Sequence, residues 1–295
     1  MGFRTGSGMR KTLKMILFKN SADLRNFLEK NRKIKELKTG FVPTMGALHD
    51  GHISLIRASQ AEAGLTICSI FVNPYQFDDR KDFEKYPVNT ENDILLLEKA
   101  GADLLFLPSV DEIFPPGKSL EKYEIGYLET ILEGRYRPGH YQGVCQVMSR
   151  LLTLINPDHL FMGQKDFQQC LVVKQLISLL KLPVQFHTVP TSRAPDGLAL
   201  SSRNSRLDPG QRKQAAAIAS TLAYIKSTFH GGDPAPVLRI AHQKLEVSGY
   251  KTDYIAIARA QDLRPLVSWD GKEKAVALVA AFLGEVRLID NMLLN

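Results

Sequence analysis

TGFVPTMGALHDGHISLI, residues 39–56, determines how the first part of this chain folds. Apolar residues before Pro43 indicate a buried strand, and Ile53, Leu55 and Ile56 lie at helical spacing after it. The turn between them contains Gly46 and the sequence HDGH at 49–52. Ligands of α/β proteins bind beyond the carboxyl ends of strands, so this turn is the first candidate site.

Strand and helix patterns alternate through the first two-thirds of the chain. We predict strands at 15–20, 39–45, 65–72, 102–109, 159–163 and 183–190, and helices at 52–63, 90–100, 141–156 and 166–180, with another helix capped by Ser21. The run at 65–72 is apolar throughout, as a strand buried on both faces should be. The alternation predicts a Rossmann-like parallel sheet with helices on both faces.

The pattern changes after residue 191. Helices at 211–226 and 234–248 precede strands at 253–260 and 274–290, and the last segment reads as a hairpin around Gly284. We therefore expect an α/β domain over 1–191 and a smaller α+β domain over 192–295. Residues 1–10 are rich in Gly, Ser and Thr and read as a flexible leader.

Charge and cysteine content exclude several classes of protein. The net charge of the 295 residues is +7, but residues 1–40 hold 11 Lys and Arg against 3 Asp and Glu, and residues 41–295 hold 27 against 28. No broad basic face is expected, which argues against nucleic-acid binding. The three cysteines, Cys68, Cys145 and Cys170, lie in apolar stretches and predict core packing and a reducing, cytoplasmic environment without a membrane span.

The HDGH turn has three interpretations. His49 and His52 are three apart, whereas zinc-binding histidines on a helix are usually four apart, and no further ligand is evident. The pair could instead cap or pack against the helix. The third interpretation is phosphate binding, because a helix N-terminus attracts anions and imidazole N–H groups can stabilise the charge that develops on a leaving pyrophosphate.

Polar side chains also follow three other predicted strands. Asn73 and Gln76 offer neutral amides after one strand, and Lys165 after another could pair with a phosphate. Asp166 could cap the next helix, or bind ribose or a metal ion. Neighbouring helical residues diverge by about 100°, so at most one of Gln168 and Gln169 should face the site.

The fourth cluster is SSRN at 201–204, which could also be a loop that caps a helix. The HxGH turn is similar to the HIGH signature of class I aminoacyl-tRNA synthetases and related nucleotidylyltransferases, and SSRN stands where those enzymes carry their second phosphate-binding signature. The chain has no P-loop, no GxGxxG after a strand and no GxSxG elbow.

Six motifs in order resemble those of the pantothenate synthetase family, the pantoate–β-alanine ligases. They are PTMGALHDGH, FVNPYQF, YP at 86–87, RPGHYQGV, GQKDFQQ and DGLALSSRN, and they run from residue 43 to 204. The resemblance implies that pantoate attacks the α-phosphate of ATP, accompanied by Mg²⁺, to give pantoyl adenylate and pyrophosphate. β-Alanine then attacks the adenylate to give pantothenate and AMP.

The resemblance also implies the site. ATP would contact Met45, Gly46, Ala47, Leu48, His49, Asp50, Gly51, His52, Gly163, Gln164, Lys165, Asp166, Ser192, Leu200, Ser201, Ser202 and Arg203. His52, His49 and Lys165 would be catalytic, with His52 as the proton donor. Gln76 and Gln169 would bind pantoate, with Gln76 also near β-alanine, and Arg137 and His140 would be supporting residues of the site. The metal ligands stay open. A homodimer is implied.

Three alternatives remain, and the last of them, a purely structural or interaction protein, leaves the four polar clusters at strand ends unexplained. A different nucleotidylyltransferase of the same superfamily would retain the nucleotide on its product. A tRNA-binding module would need a basic surface, which residues 41–295 do not provide.

Overall fold

The computed structural model describes residues 14–35 and 37–295, so the predicted leader at 1–10 lies outside the described residues. The strands are β1 (Ile16–Phe18), β2 (Thr39–Thr44), β3 (Leu65–Ile70), β4 (Leu104–Phe106), β5 (His159–Gly163), β6 (Gln185–Val189), β7 (Tyr250–Arg259), β8 (Ala275–Leu283) and β9 (Val286–Leu293). The helices are α1 (Ser21–Lys35), α2 (Asp50–Glu62), α3 (Arg80–Glu84), α4 (Thr90–Ala100), α5 (Val110–Ile113), α6 (Leu132–Tyr136), α7 (His140–Ile155), α8 (Phe167–Leu179), α9 (Pro209–Gln214), α10 (Ala217–Thr228) and α11 (Ala235–Val247).

The first six strands form one parallel sheet in the order β1-β4-β3-β2-β5-β6. Every residue of β3 is buried, as the continuous apolar run predicted. Successive β-strand residues point to opposite faces, so Phe41 and Ile67 join one hydrophobic cluster while Val42 and Cys68 join another.

Helices cover both faces of this sheet, which confirms the predicted fold class. Leu24 of α1, Leu151 of α7 and Leu176 of α8 pack on the face that contains Phe41. Ile56 of α2 and Leu97 of α4 pack on the opposite face. A parallel sheet is normally protected in this way because its strands are apolar on both sides.

The N-cap prediction for α1 is wrong by one residue. The Asn20 carboxamide oxygen, not the Ser21 hydroxyl, accepts hydrogen bonds from the N–H groups of Ala22 and Asp23, at 2.8 and 3.2 Å. Asn is as good an N-cap as Ser, and it stands just before the first helical residue.

The last part of the chain forms the antiparallel sheet β7-β8-β9 with α10 and α11 packed against it. β8 and β9 form the predicted hairpin at Gly284, whose φ of 58° suits glycine. Leu222, Leu245 and Val279 belong to the hydrophobic cluster of this unit. Leu278 belongs instead to the cluster of the larger sheet, and the division at residue 191 stays a prediction.

All three cysteines are buried and unpaired, as predicted. Burial raises the pKa of the Cys68 thiol to about 12, so it packs as a small apolar side chain. Across residues 14–35 and 37–295, no helix combines the length and apolar character that crossing a membrane requires.

Candidate active site

The four polar clusters meet at one cavity at the carboxyl edge of the parallel sheet. Strand order reverses between β2 and β5, which is the switch point where such sheets bind ligands. The cavity has a volume of about 230 Å³. Fourteen of the residues predicted to bind ATP or pantoate border it: Met45, His49, Gly51, His52, Gln76, Gly163, Lys165, Asp166, Gln169, Ser192, Leu200, Ser201, Ser202 and Arg203.

Five other predicted residues do not border the cavity: Gly46, Ala47, Leu48, Asp50 and Gln164. Gly46 and Ala47 have φ angles of 80° and 48°, so the chain turns sharply after β2. The buried carboxylate of Asp93, from α4, accepts the N–H groups of Ala47 at 2.9 Å and Leu48 at 2.7 Å. These two N–H groups are therefore already used and do not point at a ligand.

Asp93 is a part of the site that the sequence did not reveal. It lies in the first turn of α4, where an acidic residue normally serves the N-terminus of its own helix. Its side chain is 1% exposed and instead fixes the turn that leads to His49. No pattern within α4 distinguishes it from an ordinary helix-terminal acid.

His49 and His52 form a capping box at the start of α2. His49 Nδ1 accepts the N–H of Gly51 at 3.1 Å, and His52 Nδ1 accepts the N–H of His49 at 3.3 Å. The imidazole centroids are 4.1 Å apart. Because both Nδ1 atoms accept hydrogen bonds, a neutral ring carries its proton on Nε2. The capping interpretation is confirmed, and both Nε2–H groups stay available as donors.

Both histidines are held in the neutral form. Burial and the nearby positive charge of Lys165 lower the pKa of His49 to about 4. Burial, His49 and Lys165 lower the pKa of His52 to about 3. At neutral pH the two histidines therefore offer hydrogen-bond donors and no positive charge. The positive charge of this part of the site comes from Lys165.

Gln76 is placed by a 3₁₀ turn, Pro74–Gln76, that packs against α7. Asn73 Nδ2 donates to the Gln76 side-chain oxygen at 3.2 Å and to the carbonyl oxygen of Gly143 at 3.0 Å. His140 contacts the Gln76 carbonyl oxygen at 2.7 Å through Nδ1, and Arg137 contacts His140 Nε2 at 3.2 Å. Arg137 and His140 of the RPGHYQG motif thus hold the turn that carries Gln76.

The turn after β5 carries Lys165 in a short 3₁₀ segment, Gln164–Asp166. The Asp166 side chain does not cap α8 but lies 3.6 Å from Lys165 Nζ. Gln168 is buried, and its carboxamide bonds the backbone at Leu128, Ile131 and Glu133. The Gln169 side chain is half-buried and makes no hydrogen bond within the described part of the chain, so of the two glutamines it is the one available to a ligand.

The SSRN segment lies between Leu198 and Leu207, which pack with the small sheet, and it contacts the part of the chain that contains the larger sheet. Ser201 caps the 3₁₀ turn Ser202–Arg206, and the Ser202 hydroxyl donates to the carbonyl oxygen of Ala47 at 3.0 Å. Arg203 and Arg206 both bind Asp82 of α3, each at 2.7 Å. The guanidinium that the sequence assigned to phosphate is paired with a carboxylate in this structure.

A buried ion-pair network joins the two sheets beside the cavity. Arg287 of β9 binds Glu133 of α6 through two bonds of 2.8 Å, and it also binds Asp253 at 2.8 Å. Tyr254 donates its hydroxyl to Glu133 at 2.9 Å. Burial would raise the pKa of Glu133, but the hydrogen bonds and charge of Arg287 outweigh it and lower that pKa.

Among the residues that the structure describes, the site provides no cage for a metal ion. Within residues 14–35 and 37–295, no three His, Cys, Asp or Glu side chains converge in a way that could hold one. Chelation by His49 and His52 is further disfavoured because their Nδ1 atoms cap α2.

The fold and the site together define an α/β protein whose switch-point crevice combines imidazole donors with Lys165, and many nucleotide-using enzymes share this architecture. The family model of the pantoate–β-alanine ligases matches residues 16–293. The chain is 42% identical over 283 residues to a pantothenate synthetase of Leptospira biflexa, covering 95% of this chain and 99% of that one. It is 40% identical to one from Porphyromonas gingivalis, over 94% of this chain and 99% of that one.

Two solved structures are similar over the same span. The pantothenate synthetase of Thermus thermophilus superposes with a TM-score of 0.87 at 39% identity, covering 95% of this chain and 99% of that one. The pantoate–β-alanine ligase of Francisella tularensis, solved with β,γ ATP and β-alanine, gives 0.79 at 35% identity, with 95% and 98% covered. The chain belongs to the pantoate–β-alanine ligase family.

Proposed function

We infer that this chain is a ligase that condenses pantoate with β-alanine in an ATP-dependent reaction, which yields pantothenate. The observation that carries this conclusion is the single cavity that brings HxGH, Lys165 and SSRN together with Gln76 and Gln169. Donors and permanent cations suited to phosphates thus face neutral amides suited to a small hydroxy acid.

We propose that the reaction passes through pantoyl adenylate. An oxygen of the pantoate carboxylate attacks the α-phosphorus of ATP, and the bond to the β-phosphate oxygen breaks to release pyrophosphate. The β-alanine amine then attacks the acyl carbon, loses a proton, and displaces AMP. Both steps shift negative charge onto phosphate oxygens, so catalysis depends on placing reactants and donors correctly.

Each cluster supports one part of this proposal. Gln76 and Gln169 would hold the pantoate hydroxyl and carboxylate groups beside the α-phosphate. The Nε2–H groups of His49 and His52 would donate to phosphate oxygens, with Lys165 adding positive charge. The low pKa values of the histidines favour donation by neutral rings over release of a proton from His52.

The small sheet would complete the nucleotide site from the other side. Ser201 and Ser202 lie against the cavity, and Arg203 would exchange Asp82 for a phosphate when ATP binds. Asp166 would face the ribose and the backbone at Ser192 the adenine. Mg²⁺ would arrive bound to the phosphates and largely hydrated, where it neutralises charge on them, because the described residues form no cage for it.

The chain is expected to work as a homodimer in the cytoplasm. The three unpaired cysteines support a reducing compartment. Sedimentation equilibrium at several protein concentrations tests the dimer, and a single species of 33.0 kDa would contradict it.

The test of the function is pyrophosphate release from ATP, D-pantoate and Mg²⁺, with and without β-alanine. We expect a burst near one equivalent per site without β-alanine and sustained turnover with it. His52→Ala should reduce the burst rate by about 100-fold while the protein stays folded, since a donor to developing charge is lost. Folded wild-type protein that releases no pyrophosphate in either case would contradict the proposal, and AMP retained on the product would indicate a different nucleotidylyltransferase.

A further inference from the structure

The last strand of the small sheet holds the turn that carries Lys165. Asn291 on β9 is 2% exposed. Its Nδ2 group donates to the carbonyl oxygens of Gln164 at 2.9 Å and Lys165 at 2.8 Å. Its Oδ1 accepts from the Gln164 side chain at 3.3 Å. The carboxamide thus uses both of its N–H groups and its oxygen on one turn.

These two carbonyl groups belong to the peptide units on either side of the Lys165 Cα. A peptide unit is planar, so fixing the direction of its carbonyl fixes the whole unit. Fixing both units sets φ and ψ of Lys165, and with them the direction in which its side chain leaves the backbone. Asn291 therefore controls where the ammonium group of Lys165 can lie.

Asn291 is itself held by rigid neighbours. It pairs with Leu278 of the central strand β8, and its own N–H donates to the Asp290 carboxylate at 2.7 Å. Asp290 binds both terminal nitrogens of Arg193, at 2.6 and 2.9 Å, and Arg193 also donates to the Asn291 carbonyl oxygen at 3.2 Å. Arg193 follows Ser192, so this pair of β9 residues connects two strand-end clusters of the site.

We propose that Asn291 is a positioning residue for adenylate formation, which acts by orienting Lys165 toward the phosphates of ATP. The proposal rests on the proposed function, because that function gives Lys165 its task. Asn291 borders the cavity, but in this role it acts without binding the reactants. Its effect on the rate passes through the backbone of residues 164 and 165.

Pantoate-dependent exchange of labelled pyrophosphate into ATP isolates the first step and tests the proposal. Asn291→Asp keeps the shape of the side chain but removes both donors and places an acceptor against two carbonyl oxygens. We expect exchange to fall by about 100-fold, the scale of a misplacement of about 1 Å. The KM for pantoate should change by less than about 2-fold, because uniform substrate binding is retained.

A double-mutant cycle with Lys165→Ala separates positioning from general stability. If Asn291 acts through Lys165, then Asn291→Asp should slow exchange by less than about 2-fold in the Lys165→Ala background. Additive losses would overturn the proposal. Leu288→Ala on the same strand is the control, because Leu288 is buried in the core of the small sheet. It should lower the urea midpoint without the exchange defect.

Asn291→Ala serves as a second variant, because its smaller side chain admits water that can bond the two carbonyl oxygens and support the fold. Full exchange activity in both variants would overturn the proposal, and so would the failure of both to fold, which would make Asn291 a residue of stability alone. Absence of pantoate-dependent exchange in folded wild-type protein would instead refute the proposed function itself.

Discussion

Gly143 is the point where α7 meets the turn that carries Gln76, and replacing it with Ala tests whether that turn sets pantoate binding. A Cβ at position 143 would lie 2.1 Å from the carbonyl oxygen of Tyr75 and 2.6 Å from the backbone nitrogen of Gln76. Real Cβ contacts are almost never shorter than 3.0 Å, so the turn must retreat by at least about 0.9 Å. Backbone atoms on both sides leave no flexible side chain to absorb the shift.

The retreat would move Gln76 away from the cavity. A displacement near 1 Å in a substrate-positioning group costs about 100-fold in rate, and we expect that loss in kcat/KM for pantoate. Overpacking costs about 1–3 kcal/mol of unfolding free energy, and the better helix propensity of Ala returns up to about 1 kcal/mol. Activity should therefore fall far more than stability.

Steady-state kinetics with each substrate varied, together with urea denaturation, measure both effects. Gly210→Ala in α9 is the matched control, because a Cβ there meets nothing closer than the Asp208 side chain at 3.2 Å. Since Gly143→Ala acts through Gln76, its effect should not add to that of Gln76→Ala. In the Gln76→Ala background, Gly143→Ala should lower kcat/KM for pantoate by less than about 3-fold. An unchanged kcat/KM for pantoate in Gly143→Ala would refute the reasoning.

Three further predictions concern charge. Asp82→Asn should lower the KM for ATP by up to about 5-fold, because Arg203 then binds the phosphate without first breaking an ion pair with a carboxylate. Glu84→Gln on the same helix is the control, and an unchanged KM in Asp82→Asn would contradict the proposed transfer of Arg203 from Asp82 to phosphate. Glu133→Gln should reduce the unfolding free energy by about 3 kcal/mol in urea titrations, because Arg287 loses its two hydrogen bonds to a charged carboxylate. A loss below about 1 kcal/mol would contradict this and mean that Asp253 alone satisfies Arg287. Burial is the main cause that lowers the pKa values of three histidines in the folded chain, to about 4 for His49 and about 3 for His52 and His140. Below pH 6.5 the unfolded chain therefore binds more protons than the folded chain. Stability should thus fall as pH drops from about 6.5 toward 4, by at most about 2 kcal/mol per histidine at pH 5, and His140→Gln should reduce that slope.

Placement at strand ends made most of the site predictable. Parallel strands share one carboxyl edge, so polar clusters after β2, β3, β5 and β6 had to converge once the alternation was recognised. Gln76 and Lys165 were found in this way, and the structure brings both to the same cavity. The family motifs added the segment at 201–204, which is a 3₁₀ turn between Leu198 and Leu207, two residues that pack with the other sheet.

The residues that the sequence did not reveal act across long distances in the chain. Asp93 supports a turn 45 positions earlier, and Arg287 meets Glu133 across 154 positions. Asn291 reaches the Lys165 carbonyl across 126 positions. Judged from its own segment alone, Asp93 is an ordinary acidic residue of a helix, Arg287 an ordinary arginine of a strand and Asn291 an ordinary amide of a strand. Their roles depend on tertiary packing, which leaves no periodic signal.

The geometry of the two histidines makes helix capping compatible with the proposed phosphate binding. A capping box joins the N-cap residue to the residue three positions later, usually Ser or Thr with Glu. His49 and His52 occupy these two positions, which explains a spacing of three where metal-binding helices use four. The box uses the Nδ1 atoms, fixes the ring orientations and leaves both Nε2–H groups as neutral donors. A Ser–Glu box would cap the helix as well, but its carboxylate would repel the phosphates, so the histidine version is the one that suits a nucleotide site.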